Sequence, residues 1–123
     1  MRQKLFVIIL LLITGLLYGC DAGFSKIPNE KIISNMSIQN LESGETTALD
    51  SNQFSVFMEA YNSSDPYRND VGTTHPLRLS VEFDDGTMLI VWGGVGNFCT
   101  VSWEDSQFNI KSKKLEEWFE KFK

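Results

Sequence analysis

From residue 77 onward the chain alternates. Leu77, Leu79, Val81 and Phe83 are apolar; Arg78, Ser80 and Glu82 between them are polar. A period of two puts one set on each face of a β-strand, so this segment predicts a strand with one buried side. Asp84-Asp85-Gly86 follows as a hairpin signal, with the glycine suited to positive φ. Residues 87–92, TMLIVW, are apolar on both faces and predict a central strand. Gly93-Gly94-Val95-Gly96-Asn97 predicts the next turn, residues 98–103 a returning strand, and Glu104-Asp105-Ser106 another reversal. Residues 107–111 complete an antiparallel meander. Upstream, residues 32–41 predict a strand through the Met36/Ile38 alternation. Ser43-Gly44 turns the chain, and residues 46–49 pair back as a short strand.

Two stretches change the period to 3.6. Phe54, Phe57, Met58 and Tyr61 stand at i, i+3, i+4 and i+7, behind Asp50 or Ser51 as the cap. Leu115, Trp118, Phe119 and Phe122 repeat that spacing behind Ser112, with Glu116, Glu117 and Glu120 toward solvent. Lys121 and Lys123 lie where cations suit the end of a helix. The expected architecture is α+β: an antiparallel sheet of about four to five strands with two amphipathic helices packed on one face. Residues 62–76, NSSDPYRNDVGTTHP, lack a period and predict a long exposed loop.

The N-terminus follows neither pattern. Arg2 and Lys4 precede thirteen uncharged residues, FVIILLLITGLLY. As a helix these reach about 20 Å, short of the ~30 Å of bilayer hydrocarbon. A basic start, a short apolar run and a small residue before a break describe a secretory signal. Its ending, Leu17-Tyr18-Gly19-Cys20, resembles the lipobox of bacterial lipoproteins, with Tyr18 at a position usually held by a small residue. The resemblance implies a diacylglycerol on the Cys20 thiol, cleavage just before it, and attachment to the extracytoplasmic face of a cell membrane. Asp21 resembles the inner-membrane retention signal of lipoproteins in enteric-type Gram-negative cells. The alternative is an uncleaved anchor with an incidental cysteine. The chain then divides into a lipoprotein signal peptide (1–19), a lipid-anchored linker (20–31) and one α+β domain (32–123). The domain itself resembles small uncharacterised α+β lipoproteins, a likeness that carries no functional residues.

Removing residues 1–19 from 123 leaves 104, with nine cations against sixteen acids, a net charge of about −7. Bulk charge of that sign argues against nucleic acid or anionic lipid as a partner, so that lipid on Cys20, not a basic patch, is expected to hold the chain to the membrane. With Cys20 carrying lipid, Cys99 has no partner for a disulfide and reads as a small buried hydrophobe. One histidine, His75, leaves no zinc set, and Asp65, Asn69 and Asp70 lack EF-hand spacing. The GGVG run has no Lys-Ser/Thr behind it, and no Gly-x-Ser-x-Gly occurs. The paired acids Asp84/Asp85 and Glu104/Asp105 sit at turns. These absences point away from an enzyme and from a cofactor. The remaining candidates are aromatic: Tyr67, Trp92 and Trp103, able to grip a sugar or a partner's side chain, with core packing as the alternative for the two tryptophans. The expected function is a non-enzymatic binding or accessory module of the cell envelope. Its partner would be an envelope protein or wall component, met by loop 62–76 and the neighbouring strand ends. The alternative is an inhibitor or immunity-type protein whose acidic surface meets a basic toxin or wall hydrolase.

Overall fold

The computed structural model describes residues 26–69 and 74–123. In it the alternating segments become β4 (Leu77–Phe83), β5 (Met88–Gly93), β6 (Phe98–Trp103) and β7 (Ser106–Lys111), each antiparallel to the next. β1 (Ile33–Asn40) lies beside β4, with Met36 opposite Val81 and Ile38 opposite Leu79. The first apolar stripe forms helix α1 (Ser51–Asn62), where the Asp50 carboxylate accepts from the Asn52 N–H. The second forms α2 (Lys113–Glu120), capped by Ser112 Oγ, which accepts from the Leu115 N–H at 3.1 Å.

The sheet has seven strands, not four to five. Two are three-residue edge strands, β2 (Thr46–Ala48) and β3 (Asp65–Tyr67), giving the order β2-β1-β4-β5-β6-β7-β3. β2 was legible as a short return; β3 falls inside the segment expected to be an exposed loop. Three residues are too few to show a period, and Pro66 argues against a strand in the middle of a sheet. At an edge a proline is tolerated, because one side needs no ladder bond. Here β3 pairs only with β7, Pro66 opposite Ile110.

Register sorts the side chains. Leu79, Val91, Val101 and Phe108 stand opposite one another in sequence across four strands, and all are buried. Both helices cover this face: Phe57, Ala60 and Tyr61 of α1 and Leu115, Trp118 and Phe119 of α2 join the same core. The chain leaves β3 at one edge and must re-enter as β4, four strands away, or about 19 Å at ~4.8 Å per strand. The described ends of that connection lie on the face without helices. Asn69 O accepts from Asn109 Nδ2 of β7 at 3.1 Å, and His75 Nε2 lies 3.4 Å from Thr100 Oγ1 of β6.

The domain also begins earlier than residue 32. Ile27 is 3% exposed, and the Asn62 side chain holds its backbone like a neighbouring strand. Asn62 Oδ1 accepts from the Ile27 N–H at 2.8 Å, and Nδ2 donates to the Ile27 carbonyl at 3.2 Å. Lys31 is pinned as well. Its Nζ sits 5.4 Å from the Phe83 ring and 5.2 Å from the Trp103 ring, donates to Thr87 Oγ1 at 2.9 Å, and pairs with the Asp85 carboxylate. Residues 27–31, read in the sequence as tether, belong to the packed body.

That clamp makes stability depend on acid. The Lys31 ammonium, with the Thr87 hydroxyl and N–H, holds the Asp85 carboxyl well below its usual 3.8. A depressed carboxylate stabilises the fold above its unfolded pKa, and the contribution drains as pH falls through the folded value. Denaturant midpoints measured from about pH 5 downward should therefore drop more steeply in the wild type than in Asp85→Asn. Equal slopes would show that the Lys31–Asp85 pair contributes nothing.

Candidate functional site

The face without helices carries one transverse row of side chains. Register places Gln39 beside Arg78, Arg78 beside Trp92, Trp92 beside Thr100, Thr100 beside Asn109, and Asn109 beside Tyr67. The row runs from β1 to β3, and each member is at least half-buried rather than splayed into solvent. An outward sheet face normally presents polar side chains to water. On this one the described residues Asn69 and His75 lie against Asn109 and Thr100.

At one end the Arg78 guanidinium lies over Trp92, 5.9 Å from the ring centroid. At the other, Tyr67 and Phe98 meet at 4.6 Å with a 42° tilt, and Lys111 Nζ lies 5.8 Å from the Phe98 ring. Cation–aromatic pairs thus flank a polar centre. Such pairs hold amphipathic side chains in place without consuming all their hydrogen-bonding capacity.

In the centre the donors can be followed. Thr100 Oγ1 donates its one proton to Asn109 Oδ1 at 2.9 Å, and Asn109 Nδ2 donates to Asn69 O. Thr100 therefore receives from His75, which fixes the imidazole proton on Nε2. Burial lowers the His75 pKa below 6.5, which keeps the ring neutral near neutral pH. Nδ1 is left as a bare acceptor on a side chain only 7% exposed, without a partner among the described residues. Arg78 Nε is a buried donor in the same condition. Each orphaned group costs on the order of 1–3 kcal/mol, recoverable by whatever satisfies it. A hydroxyl or amide, which both donates and accepts, is the simplest chemistry to do so.

Of the sequence candidates, Tyr67 and Trp92 come to this face. Trp103 stands on the opposite one, 6% exposed and edge-on to Phe83 at 5.1 Å, as part of the core. Cys20 and Asp21 lie outside the described residues. Sequence reasoning set Arg78 on the wet face, took Thr100 and Asn109 only as positions within strands, and left His75 in a loop. The alternation did place Arg78 away from the core; which residues stand beside it depends on register.

Other chemistry is not assembled among the described residues. Cys99 is buried on the helix-covered face, and burial pushes its thiol up to about 12, so it is a thiol rather than a nucleophilic thiolate at neutral pH. Among the described residues no three His, Cys, Asp or Glu side chains gather closely enough to hold a metal ion, and no helix is long and apolar enough to cross a membrane. No protein-family model, no curated protein and no solved structure matches the chain.

Proposed function

We propose that the chain is a bacterial envelope lipoprotein, held by lipid on Cys20 at the extracytoplasmic face of a membrane, the inner one where Asp21 acts as a retention signal. It acts there as a non-enzymatic binding or accessory module. The observation that carries the binding role is the row on the open sheet face, with an unsatisfied acceptor on His75 and an unsatisfied donor on Arg78 beside Trp92. A packed body starting at Ile27 supports close attachment. Only seven residues lead from Cys20 to that position, at most about 25 Å of chain. The partner is an envelope protein or wall component that presents a hydroxyl or amide against an aromatic ring.

The test has two readouts. Labelling with a clickable fatty acid should mark the wild type and leave Cys20→Ser unlabelled and released from the membrane; equal label in both defeats the anchor. Capture from detergent-solubilised membranes, or binding to isolated wall material, should fall at least tenfold in Arg78→Ala and Trp92→Ala. Those substitutions remove anchors of the kind that dominate binding energy. Undiminished capture by both variants defeats the open face as the contact.

One observation favours the second reading, an inhibitor or immunity-type protein. The turns after β4 and β6 bring Asp84, Asp85, Glu104 and Asp105 to the same end of the sheet, with Lys31 Nζ between Asp85 and Glu104, 3.9 Å from the latter. A basic enzyme docked there would bind in a strongly salt-dependent way. Its binding would survive Arg78→Ala and fail in Asp84→Asn/Glu104→Gln.

A further inference from the structure

One corner at the opposite end of the sheet is basic. A shallow cavity of about 340 Å³ opens where β7 passes into α2, lined by Lys111, Lys113 and Lys114 with Ser63, Asp65 and Asn97. Three of the nine cations in the mature chain meet here, against one acid. The overall charge of about −7 therefore conceals a local cluster: acids gather at the β4–β5 and β6–β7 turns, and three lysines gather where β7 passes into α2 at the other end, across the sheet from Glu42 and Glu45 of the β1–β2 turn. Lys114 also reaches Glu59 at 3.4 Å, but both side chains are more than half exposed, so that pair holds it only loosely.

The tether arrives at this end. The Ile27 backbone is fixed to Asn62, the residue next to the cavity-lining Ser63, and exposed Lys26 precedes it. A chain anchored at Cys20 reaches the membrane within about 25 Å of that point. An acidic body is repelled by an anionic surface, so whichever part of it carries local positive charge turns toward the lipid.

We infer that the Lys111/Lys113/Lys114 cavity is a membrane-docking surface for the phosphates of anionic lipid headgroups, and that it orients the domain with the acidic β4–β5 and β6–β7 turns away from the bilayer. The inference rests on the lipid-anchor reading. The anchor supplies proximity and the lysines supply orientation, since juxtamembrane cations bind anionic headgroups whereas acidic turns do not. The Arg78–Trp92 end of the partner-binding row, two to three strands from Lys111, stays open to an envelope protein or wall component.

The native protein, purified from membranes and reconstituted into phosphatidylcholine vesicles with or without 30% phosphatidylglycerol, gives the test. Cys99 is buried and Cys20 lipidated, so a fluorophore attaches only to an introduced thiol, at Val95→Cys beside the cavity or at Asp84→Cys at the acidic end. Headgroup-quencher lipid should quench the Val95 label, and only in anionic vesicles; the Asp84 label should stay bright. Each lysine should contribute about fivefold to the docked population. Lys111→Gln/Lys113→Gln/Lys114→Gln should lower it at least tenfold while leaving the melting curve in place. Equal quenching of both labels, equal quenching in neutral vesicles, or a triple variant that docks like the wild type overturns the inference. The mass of the N-terminal peptide reports the anchor separately. The same labels on a Cys20→Ser chain, with hexahistidine in place of residues 1–19 and nickel-chelating lipid as tether, read orientation whether or not the native anchor exists.

Discussion

Trp118→Ala should lower the stability of the domain by about 3–5 kcal/mol, the usual range for deleting a large buried aromatic. Trp118 is where α2 grips everything else. Its ring is 2% exposed and stands 5.7 Å from Phe57 of α1, 5.3 Å from Phe119 and 4.9 Å from Phe122. Its Nε1–H donates to Gln53 Oε1 at 3.0 Å. Alanine removes the ring contacts together, leaves a cavity between the helices, and strips Gln53 of its donor. The whole stability of a domain this size is about 5–15 kcal/mol, so one substitution takes a large share. With ~4–8 °C per kcal/mol, thermal unfolding followed by circular dichroism should shift down by about 15–30 °C. Trp118→Phe keeps a six-membered ring but loses the pyrrole part of the indole with its N–H, and should cost less than alanine, about 1–3 kcal/mol. A melting point within a few degrees of wild type for the alanine variant would mean that α2 does not seal the core.

The strength of that effect explains why the helices were legible. An i, i+3, i+4, i+7 stripe of large apolar residues has few uses other than packing, and both stripes lie against the same sheet face. The meander was legible for a matching reason. Its turns carry their own chemistry, and its strands alternate over six residues or more. What escaped was anything set by contact between distant segments. Asp65-Pro66-Tyr67 has no pattern of its own and is a strand only because β7 offers an open edge. Ile27 and Lys31 look like tether because their partners, Asn62 and Asp85, are 35 and 54 residues away.

The candidate site was half legible on the same grounds. Tyr67 and Trp92 stood out as aromatics in a chain short of other chemistry. Trp103 stood out equally, yet it sits eleven residues beyond Trp92 on the next strand but one face over, a difference that register alone decides. His75 was the least legible. A histidine before a proline in a polar run carries no sign of burial, and only the chain's entry into β4 sets it against Thr100. Site and fold are therefore joined where His75 and Pro76 lead into β4.

That joint predicts the second large effect. Gly93 ends β5 on the helix-covered side, and a Cβ built there would lie 2.5 Å from Phe119 Cε2 and 2.7 Å from Cδ2. Phe119 is fully buried with Trp118 against it, so its ring cannot swing aside without moving α2. Gly93→Ala should cost about 1–3 kcal/mol by overpacking, and the branched Gly93→Val at least as much as the upper figure, read as the urea midpoint. A valine variant with an unchanged midpoint would place Phe119 elsewhere. The neighbouring glycine is constrained by its backbone as well. Gly94 has φ +103°, which side chains rarely adopt, and its Cβ would meet Pro76 Cγ at 3.0 Å, directly behind His75, and the buried Leu77 at 3.2 Å. Gly94→Ala should therefore cost stability through its backbone and also displace the Pro76–His75 segment from Thr100. Gly93→Ala should spare the open face in whatever fraction of the protein stays folded. Partner binding measured per folded molecule separates the two, because a side chain at Gly94 meets Pro76 next to His75, whereas one at Gly93 meets Phe119.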